Sequence, residues 1–146
     1  MMLRAYRPAD LPILYEIDQA CFPAGVSYFK DELAAFIAHR NSRTWVAEAD
    51  GEIVGFLVAN GARARGVHII TIDVVAAWRR RQVGSALMDA ADAWARARRS
   101  ASVSLEVAED NLAAQRFYAQ RGYQRVGRAE NYYANGQSAL LLRRPL

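Results

Sequence analysis

Val67-His68-Ile69-Ile70-Thr71-Ile72-Asp73-Val74-Val75 is a nearly continuous β-branched run, and Trp78-Arg79-Arg80-Arg81-Gln82-Val83-Gly84-Ser85-Ala86-Leu87 follows it. An apolar run without polar alternation is the pattern of a central strand covered on both faces. From Val83 to Arg99 a helix is predicted, with Val83, Leu87, Ala90, Ala91 and Trp94 on its inner side. Ser102-Val103-Ser104-Leu105-Glu106-Val107 then alternates, so Val103, Leu105 and Val107 face one way and Ser102, Ser104 and Glu106 the other. These pieces make a parallel strand-helix-strand unit, Ile69 to Val107. It places the start of its helix beside the carboxyl end of its first strand, where ligands bind in open sheets.

Outward from this centre, the order is strand, two helices and two strands before it, and a helix and two strands after it. Leu3-Arg4-Ala5-Tyr6 opens the chain as a short strand. Asp10 is expected to cap a first helix that has Pro12 in its first turn and runs to about Cys21, burying Leu11, Leu14, Ile17 and Cys21. Phe22-Pro23-Ala24-Gly25 ends it, and a second helix fits Phe29 to His39, with Phe29, Leu33, Phe36 and Ile37 inward. Thr44 to Ala49 and Glu52 to Ala59 read as an antiparallel hairpin turning at Asp50-Gly51, and an Arg/Gly-containing loop leads to the central run. A short fourth helix begins near Asp110 or Asn111, carries Leu112, Ala114, Phe117 and Tyr118, and stops at Gly122. Tyr123 to Val126 and Ala139 to Leu142 complete the sheet, with a turn signal at Asn135-Gly136. The expected fold class is mixed α/β: one domain, 1–146, with about four helices and a mixed, mostly antiparallel twisted sheet around one parallel β-α-β unit.

Composition narrows the function classes. A chain of 146 residues that is 53% hydrophobic and 23% charged suits one globular core. Without a long apolar run or a secretory leader, cytoplasmic residence is the expectation, with no membrane partner. One cysteine excludes an internal disulfide, and Cys21, His39 and His68 lack metal-ligand spacing, so no metal is expected. No histidine is placed by sequence to activate Cys21, and both histidines read as ordinary surface or sheet residues. The net charge is +4, and all but one of the 19 basic residues are arginine. A nucleic-acid partner is disfavoured, because the basic run is short and lacks interleaved aromatic platforms.

The turn before the third helix carries the chemistry. A helix start exposes unpaired N–H groups at the positive end of its dipole, and Gly84 and Ser85 leave room for a pyrophosphate to approach them. Arg79, Arg80 and Arg81 add positive charge there. The segment reads as an anion cradle, with a solvated basic loop as the alternative.

Arg79 to Gly84 resembles the acetyl-CoA loop of the GNAT N-acetyltransferases, Arg/Gln-x-x-Gly-x-Gly/Ala, with Gln82 in place of the first glycine. The stretch from Asn111 to Tyr123, Asn-Leu-Ala-Ala-Gln-Arg-Phe-Tyr-Ala-Gln-Arg-Gly-Tyr, resembles that family's Asn-x-x-Ala-x-x-Phe-Tyr-x-x-x-Gly-Phe/Tyr signature. The order and spacing of both pieces match, and the resemblance covers essentially the whole chain. Leu105-Glu106-Val107, Asn111, Tyr118 and Asn131-Tyr132-Tyr133 look most like the RimI group, which acetylates the N-terminal alanine of ribosomal proteins. Phe22 to Tyr28 departs from that group's Phe-Pro-Trp-Ser stretch.

The resemblance implies acetyl-CoA as the acetyl donor and an amine acceptor, foremost a protein N-terminus. It implies Glu106 as proton acceptor through water and Tyr118 as general acid toward the departing thiolate. Arg79, Arg80, Arg81, Gln82, Val83, Gly84 and Ser85 would hold the diphosphate, and Asn111 would add a cofactor hydrogen bond beside its role as helix cap. The backbone of Ile72, Asp73 and Val74 would pair with the pantetheine arm as an added strand does, with an N–H near Val74 on the carbonyl oxygen. The Asp73 side chain faces the acceptor amine or pairs with an arginine; sequence does not choose. Other readings remain: a small amine, amino acid or lysine as acceptor, or a non-catalytic acetyl-CoA-binding regulator, which Gln82 keeps open. Oligomeric state, monomer or homodimer, is undetermined by sequence.

Overall fold

The computed structural model describes residues 1–62 and 66–146. Part of the Arg/Gly-containing loop, residues 63–65, lies outside the described residues. The elements are Met2–Ala5 (β1), Leu11–Cys21 (α1), Lys30–Ala38 (α2), Ser42–Ala49 (β2), Glu52–Asn60 (β3), Gly66–Val74 (β4), Val83–Ala97 (α3), Ser102–Ala108 (β5), Leu112–Gln120 (α4), Gln124–Ala129 (β6) and Ala139–Pro145 (β7). Their order is the expected one. They form a single 7-stranded sheet in the order β1-β2-β3-β4-β5-β7-β6, in which β4 and β5 are parallel and the other pairs antiparallel.

The hairpin between β2 and β3 turns at Asp50 (φ 54°) and Gly51 (φ 78°), the paired left-handed conformation that matches strand twist. One face of the sheet packs Leu57, Val67, Ile69, Val103 and Leu105 against Val83, Leu87, Met88 and Ala91 of α3. The other packs Val46, Phe56 and Val58 against Leu14 and Ile17 of α1 and Leu33 of α2. A period-2 pattern in the strands and a three-to-four spacing in the helices thus build two cores back to back.

Two expectations need correction. Asp10 does not cap α1 with its side chain. It lies in a 3-10 turn, where its carboxylate accepts the Arg7 N–H at 2.8 Å and the two terminal Arg4 nitrogens, Nη1 and Nη2, at 2.8 and 2.9 Å. That bidentate pair fastens β1 to the start of α1 and holds the Asp10 carboxyl below its ordinary pKa, through the Arg4 hydrogen bonds above all. Phe29 is not inward: it precedes α2 in extended conformation, off the helical stripe, and is 73% exposed.

What positions the site is the partial pairing of β4 with β5. Only Gly66, Val67 and His68 meet Ser102, Val103 and Ser104. Beyond them β5 follows β7, whereas β4 follows β3, and a bulge carries β4 onward: Ala59 pairs with Ile69 and Val58 with Thr71, leaving Ile70 as the extra residue. The two central strands therefore part, and a gap opens in the middle of the sheet.

Candidate active site

The gap is a cleft of about 720 Å³ lined by the ends of β4 and β5, the loop into α3, one side of α4 and the α1–α2 segment. Strand parity decides which backbone groups face it. Val75 N–H donates to Val54 C=O at 2.9 Å, so the hydrogen-bonded pairs with β3 are those of Val75, Asp73 and Thr71. Ile72 and Val74 accordingly turn their N–H and C=O groups into the gap, while the Asp73 backbone belongs to β3. The open edge of β4 offers the Ile72 N–H and C=O and the Val74 N–H to an extended amide-bearing chain, the Val74 C=O being taken by Cys21 and Arg79.

At one end of the cleft stands the N-terminus of α3. Its first intrahelical bond runs from Ala86 N–H to Gln82 C=O, which leaves the Val83, Gly84 and Ser85 N–H groups without intrahelical partners. No acidic residue occupies that first turn. Gln82 itself has φ 67° and ψ 11°, the left-handed conformation that glycine adopts without cost, and its side chain is exposed. The glycine-like backbone is thus kept although the glycine is absent. An atom added at Gly84 would lie 3.4 Å from Phe117 Cζ, so this turn packs directly on α4. Arg79 donates from Nε to Val74 C=O at 3.2 Å, and Arg80 lines the cleft at φ 61°. Arg81 instead stacks on Trp78, 5.0 Å from the ring centroid. These groups fit the diphosphate of a coenzyme A: free N–H donors on a helix dipole, with cationic side chains beside them.

Glu106 stands on the polar side of β5. Its Oε2 lies 2.7 Å from His68 Nε2, and its Oε1 accepts the Tyr132 hydroxyl at 2.8 Å. His68 Nδ1 lies 2.8 Å from Ser104 Oγ. With Glu106 ionised, the consistent assignment has Nε2–H donating to Glu106 and Nδ1 accepting from Ser104. Sequence reading missed His68. No local signal marks it, because its partners come only through the parallel register that sets it opposite Ser104, the residue two before Glu106 on the same face.

Tyr118 is 7% exposed, lines the cleft and meets Phe117 and Tyr123 edge to face at 5.3 and 5.7 Å. Burial raises its pKa well above the ordinary phenol value, with Tyr123 and Asp73 adding to the effect, so it stays protonated. Asn111 caps α4, its Oδ1 accepting the Ala114 N–H at 3.2 Å, and also lines the cleft. Tyr133, whose pKa burial and Glu106 push up to about 12, lines it from the β6–β7 loop.

The Asp73 side chain does not reach the cleft. It is 1% exposed on the α1 face, accepts the Thr71 hydroxyl at 2.5 Å and shares a hydrogen bond with Asp18, whose Oδ2 accepts the Tyr28 N–H at 2.8 Å. Desolvation and the neighbouring Asp18 carboxylate raise the Asp73 pKa well above the carboxylate range. A proton carried by Asp73 gives the remaining oxygen of each carboxyl a partner. Cys21 donates to Val74 C=O at 3.5 Å, and burial pushes its thiol up, away from nucleophilic thiolate.

The acceptor side of the gap is roofed. Ala134 N–H donates to Gly25 C=O at 3.0 Å, joining the β6–β7 loop to the α1–α2 loop. Gly25 has φ 86°, and a Cβ there would lie 2.6 Å from the Asn135 Cβ and N. Gln137 Nε2 holds the same β6–β7 loop to Asp110 at 2.6 Å. Among the described residues no group of His, Cys, Asp and Glu is arranged to hold a metal ion, and no helix is long and apolar enough to cross a membrane.

Comparison with known proteins agrees with this geometry. An N-alpha-acetyltransferase of Sulfurisphaera tokodaii is 28% identical, over 99% of this chain and 92% of its own length. The crystal structure of Ard1 from Thermoplasma volcanium superposes with a TM-score of 0.89 at 28% identity, covering 99% of this chain and 97% of that one. A ribosomal-protein-S18-alanine N-acetyltransferase from Escherichia coli shares the fold, with a TM-score of 0.86 at 22% identity over 99% of this chain and 92% of that one. The model of the acetyltransferase (GNAT) family matches residues 11–123, from the first residue of α1 past the parted strands to the tyrosine after α4. The parted strands, the N–H cradle at α3 and this match together make the chain a member of the GNAT acetyltransferases, enzymes that take their acetyl group from acetyl-CoA.

Proposed function

We propose that this protein acetylates the α-amino group at the N-terminus of a protein substrate. The observation that carries the reading is the placement of Glu106, held by His68 and Tyr132 beneath the joined α1–α2 and β6–β7 loops. A roof across the acceptor side suits a chain end that threads inward. The relatives named N-alpha-acetyltransferase support the same acceptor class.

Acetyl-CoA, when bound, supplies a thioester carbonyl open to attack by an amine and a thiol leaving group. The chain's own residues do the rest. Val83, Gly84 and Ser85 N–H groups, with Arg79 and Arg80, hold the diphosphate; Ile72 presents an edge donor and acceptor, and the Val74 N–H serves a carbonyl oxygen. An α-amino group has a pKa of about 7.7–8.0 and is largely protonated at neutral pH. Glu106 removes that proton through water, and His68 fixes the carboxylate's orientation while its own second nitrogen is held by Ser104. Tyr118, kept protonated by burial, presents its O–H toward the departing sulfur.

The test is thiol release from acetyl-CoA with peptides beginning with alanine, serine, methionine or glycine, set against free amines and an N-terminally blocked peptide with an internal lysine. Release with free N-termini and none with the blocked peptide is expected. Release only with small amines would overturn the protein acceptor, and coenzyme binding without release to any amine would leave a binding module.

A further inference from the structure

Far from the cleft, at the opposite end of β4, the molecule carries a cluster of arginines ordered by tryptophan. Arg98 lies 4.7 Å above the Trp94 ring and Arg43 lies 5.8 Å from the Trp45 ring; the two rings meet edge to face at 5.8 Å and 77°. Four side chains from β2, α3 and the residue that caps α3 thus form one ridge, Arg43-Trp45-Trp94-Arg98. Arg98 is also clamped from the other side. Its Nη2 donates to Gly61 C=O at 3.2 Å, and a Cβ at position 61 would lie 2.7 Å from that nitrogen, so only glycine leaves this seat open.

Arg99 follows the ridge and Arg40 stands before β2, both exposed, whereas Arg96, two residues from Trp94 and from Arg98, points to the other side of α3. Arg99 takes φ 57° where α3 ends, and Ser100 N–H closes back on Ala95 C=O, so the helix terminus is a fixed motif. Arginines near a helix C-terminus are favoured by its dipole. That accounts for Arg96 but not for Arg40 or Arg43, which arrive from another element. The segments 39–45, 59–62 and 94–104 contain no aspartate or glutamate. Among the described residues none of these five arginines takes part in an ion pair.

We infer that this end of the molecule is a docking surface for the sugar–phosphate backbone of a nucleic acid. A guanidinium held over an aromatic ring has already lost much of its rotamer freedom, so a phosphate meets an ordered cation, in Arg98 with its remaining N–H groups. The interleaving of arginine with aromatic side chains that is absent along the chain is present in space. A membrane surface fits less well, because no large apolar side chain is exposed in these three segments to enter a bilayer. The surface is separated from the cleft by the length of β4, so docking leaves the acceptor entrance open.

The experiment is fluorescence anisotropy of a labelled single-stranded RNA of about twenty nucleotides, titrated with the full chain across a salt series, beside flotation with anionic phosphatidylglycerol vesicles. Expected is binding whose log K falls with log salt at a slope of about −3, from about four phosphates at about 0.7 each. The triple variant Arg43→Gln/Arg98→Gln/Arg99→Gln should lose about two units of that slope and more than tenfold in affinity at low salt. Its thermal unfolding midpoint serves as the folding control, and a Gly61→Ala variant, which displaces Arg98 without removing charge, should weaken binding in the same assay. RNA binding absent at low salt, a triple variant that binds like the parent, or tighter retention by vesicles than by RNA would overturn the assignment. None of these readouts depends on the identity of the acetyl acceptor.

Discussion

His68 Nε2 lies 2.7 Å from Glu106 Oε2 at the point where β4 and β5 separate, the last paired residue of one strand holding the carboxylate of the other. If Glu106 is the base and His68 its positioning partner, Glu106→Gln should lower turnover by about 10² or more, most severely at lower pH where free amine is scarce. His68→Ala should lower turnover by about tenfold and reshape the pH profile while acetyl-CoA affinity stays constant. Rates against pH with a saturating peptide check both. A pH-independent loss for Glu106→Gln argues against proton removal.

Tyr118→Phe keeps the ring that packs on Phe117 and Tyr123 and deletes only the hydroxyl. Turnover should fall by about 10² with little change in coenzyme affinity, read by steady-state kinetics and calorimetry. Unchanged turnover removes Tyr118 from the acid role.

Gln82 occupies left-handed backbone without a glycine's freedom. Gln82→Gly should stabilise the fold by about 1 kcal/mol, measured by urea unfolding, and leave coenzyme binding intact or tighter. A loss of coenzyme affinity in that variant would assign the glutamine side chain a binding role.

Asp73 and Asp10 pull the pH dependence of stability in opposite directions. The folded-state pKa of Asp73 is raised by burial and by Asp18, so the native state binds more protons than the unfolded one. The stability this proton confers is present below the unfolded value of about 3.9 and is lost as pH rises toward the folded value. Asp10 is the reverse: lowered by Arg4, it contributes stability above the unfolded value that is lost as pH falls through the folded one. Urea midpoints against pH should show Asp73→Asn removing a decline that sets in as pH rises above about 3.9, and Asp10→Asn removing part of the decline as pH falls below it. An Asp73→Asn profile that parallels the parent refutes the buried proton.

Gly25→Ala places a methyl 2.6 Å from the Asn135 backbone nitrogen in a conformation that disfavours alanine, so the two loops must part. The KM for peptide should rise several-fold while that for acetyl-CoA is unchanged. Equal effects on both substrates would mean the roof does not shape the acceptor entrance.

Most of this architecture was legible because its signals are local. The Asp50-Gly51 turn, the alternation of Val103, Leu105 and Val107, and the Asn111 cap each declare themselves within a few residues. Asn111, Tyr118, Glu106 and the α3 turn were singled out through their resemblance to the family's motifs, and the structure brings them to one cleft. What sequence left unread depends on partners distant in the chain. Asp73 turns away from the acceptor because the parity of β4 points its side chain toward α1 and Asp18. Arg81 leaves the cleft for Trp78. His68 acquires meaning only opposite Ser104 and near Glu106, 36 residues on at its Ser104 contact. Phe29 misled because a helical stripe was extended one residue beyond the start of its helix.

The surplus residue in β4, Ile70, marks the place where this strand gains one position on its antiparallel partner. Removing it would set Ile69 and Thr71 side by side opposite Ala59 and Val58, so the side chains downstream keep their faces while the kink that turns β4 away from β5 is lost. A one-codon deletion at that position should therefore let the two strands zip together and shut out the coenzyme even where every motif residue survives.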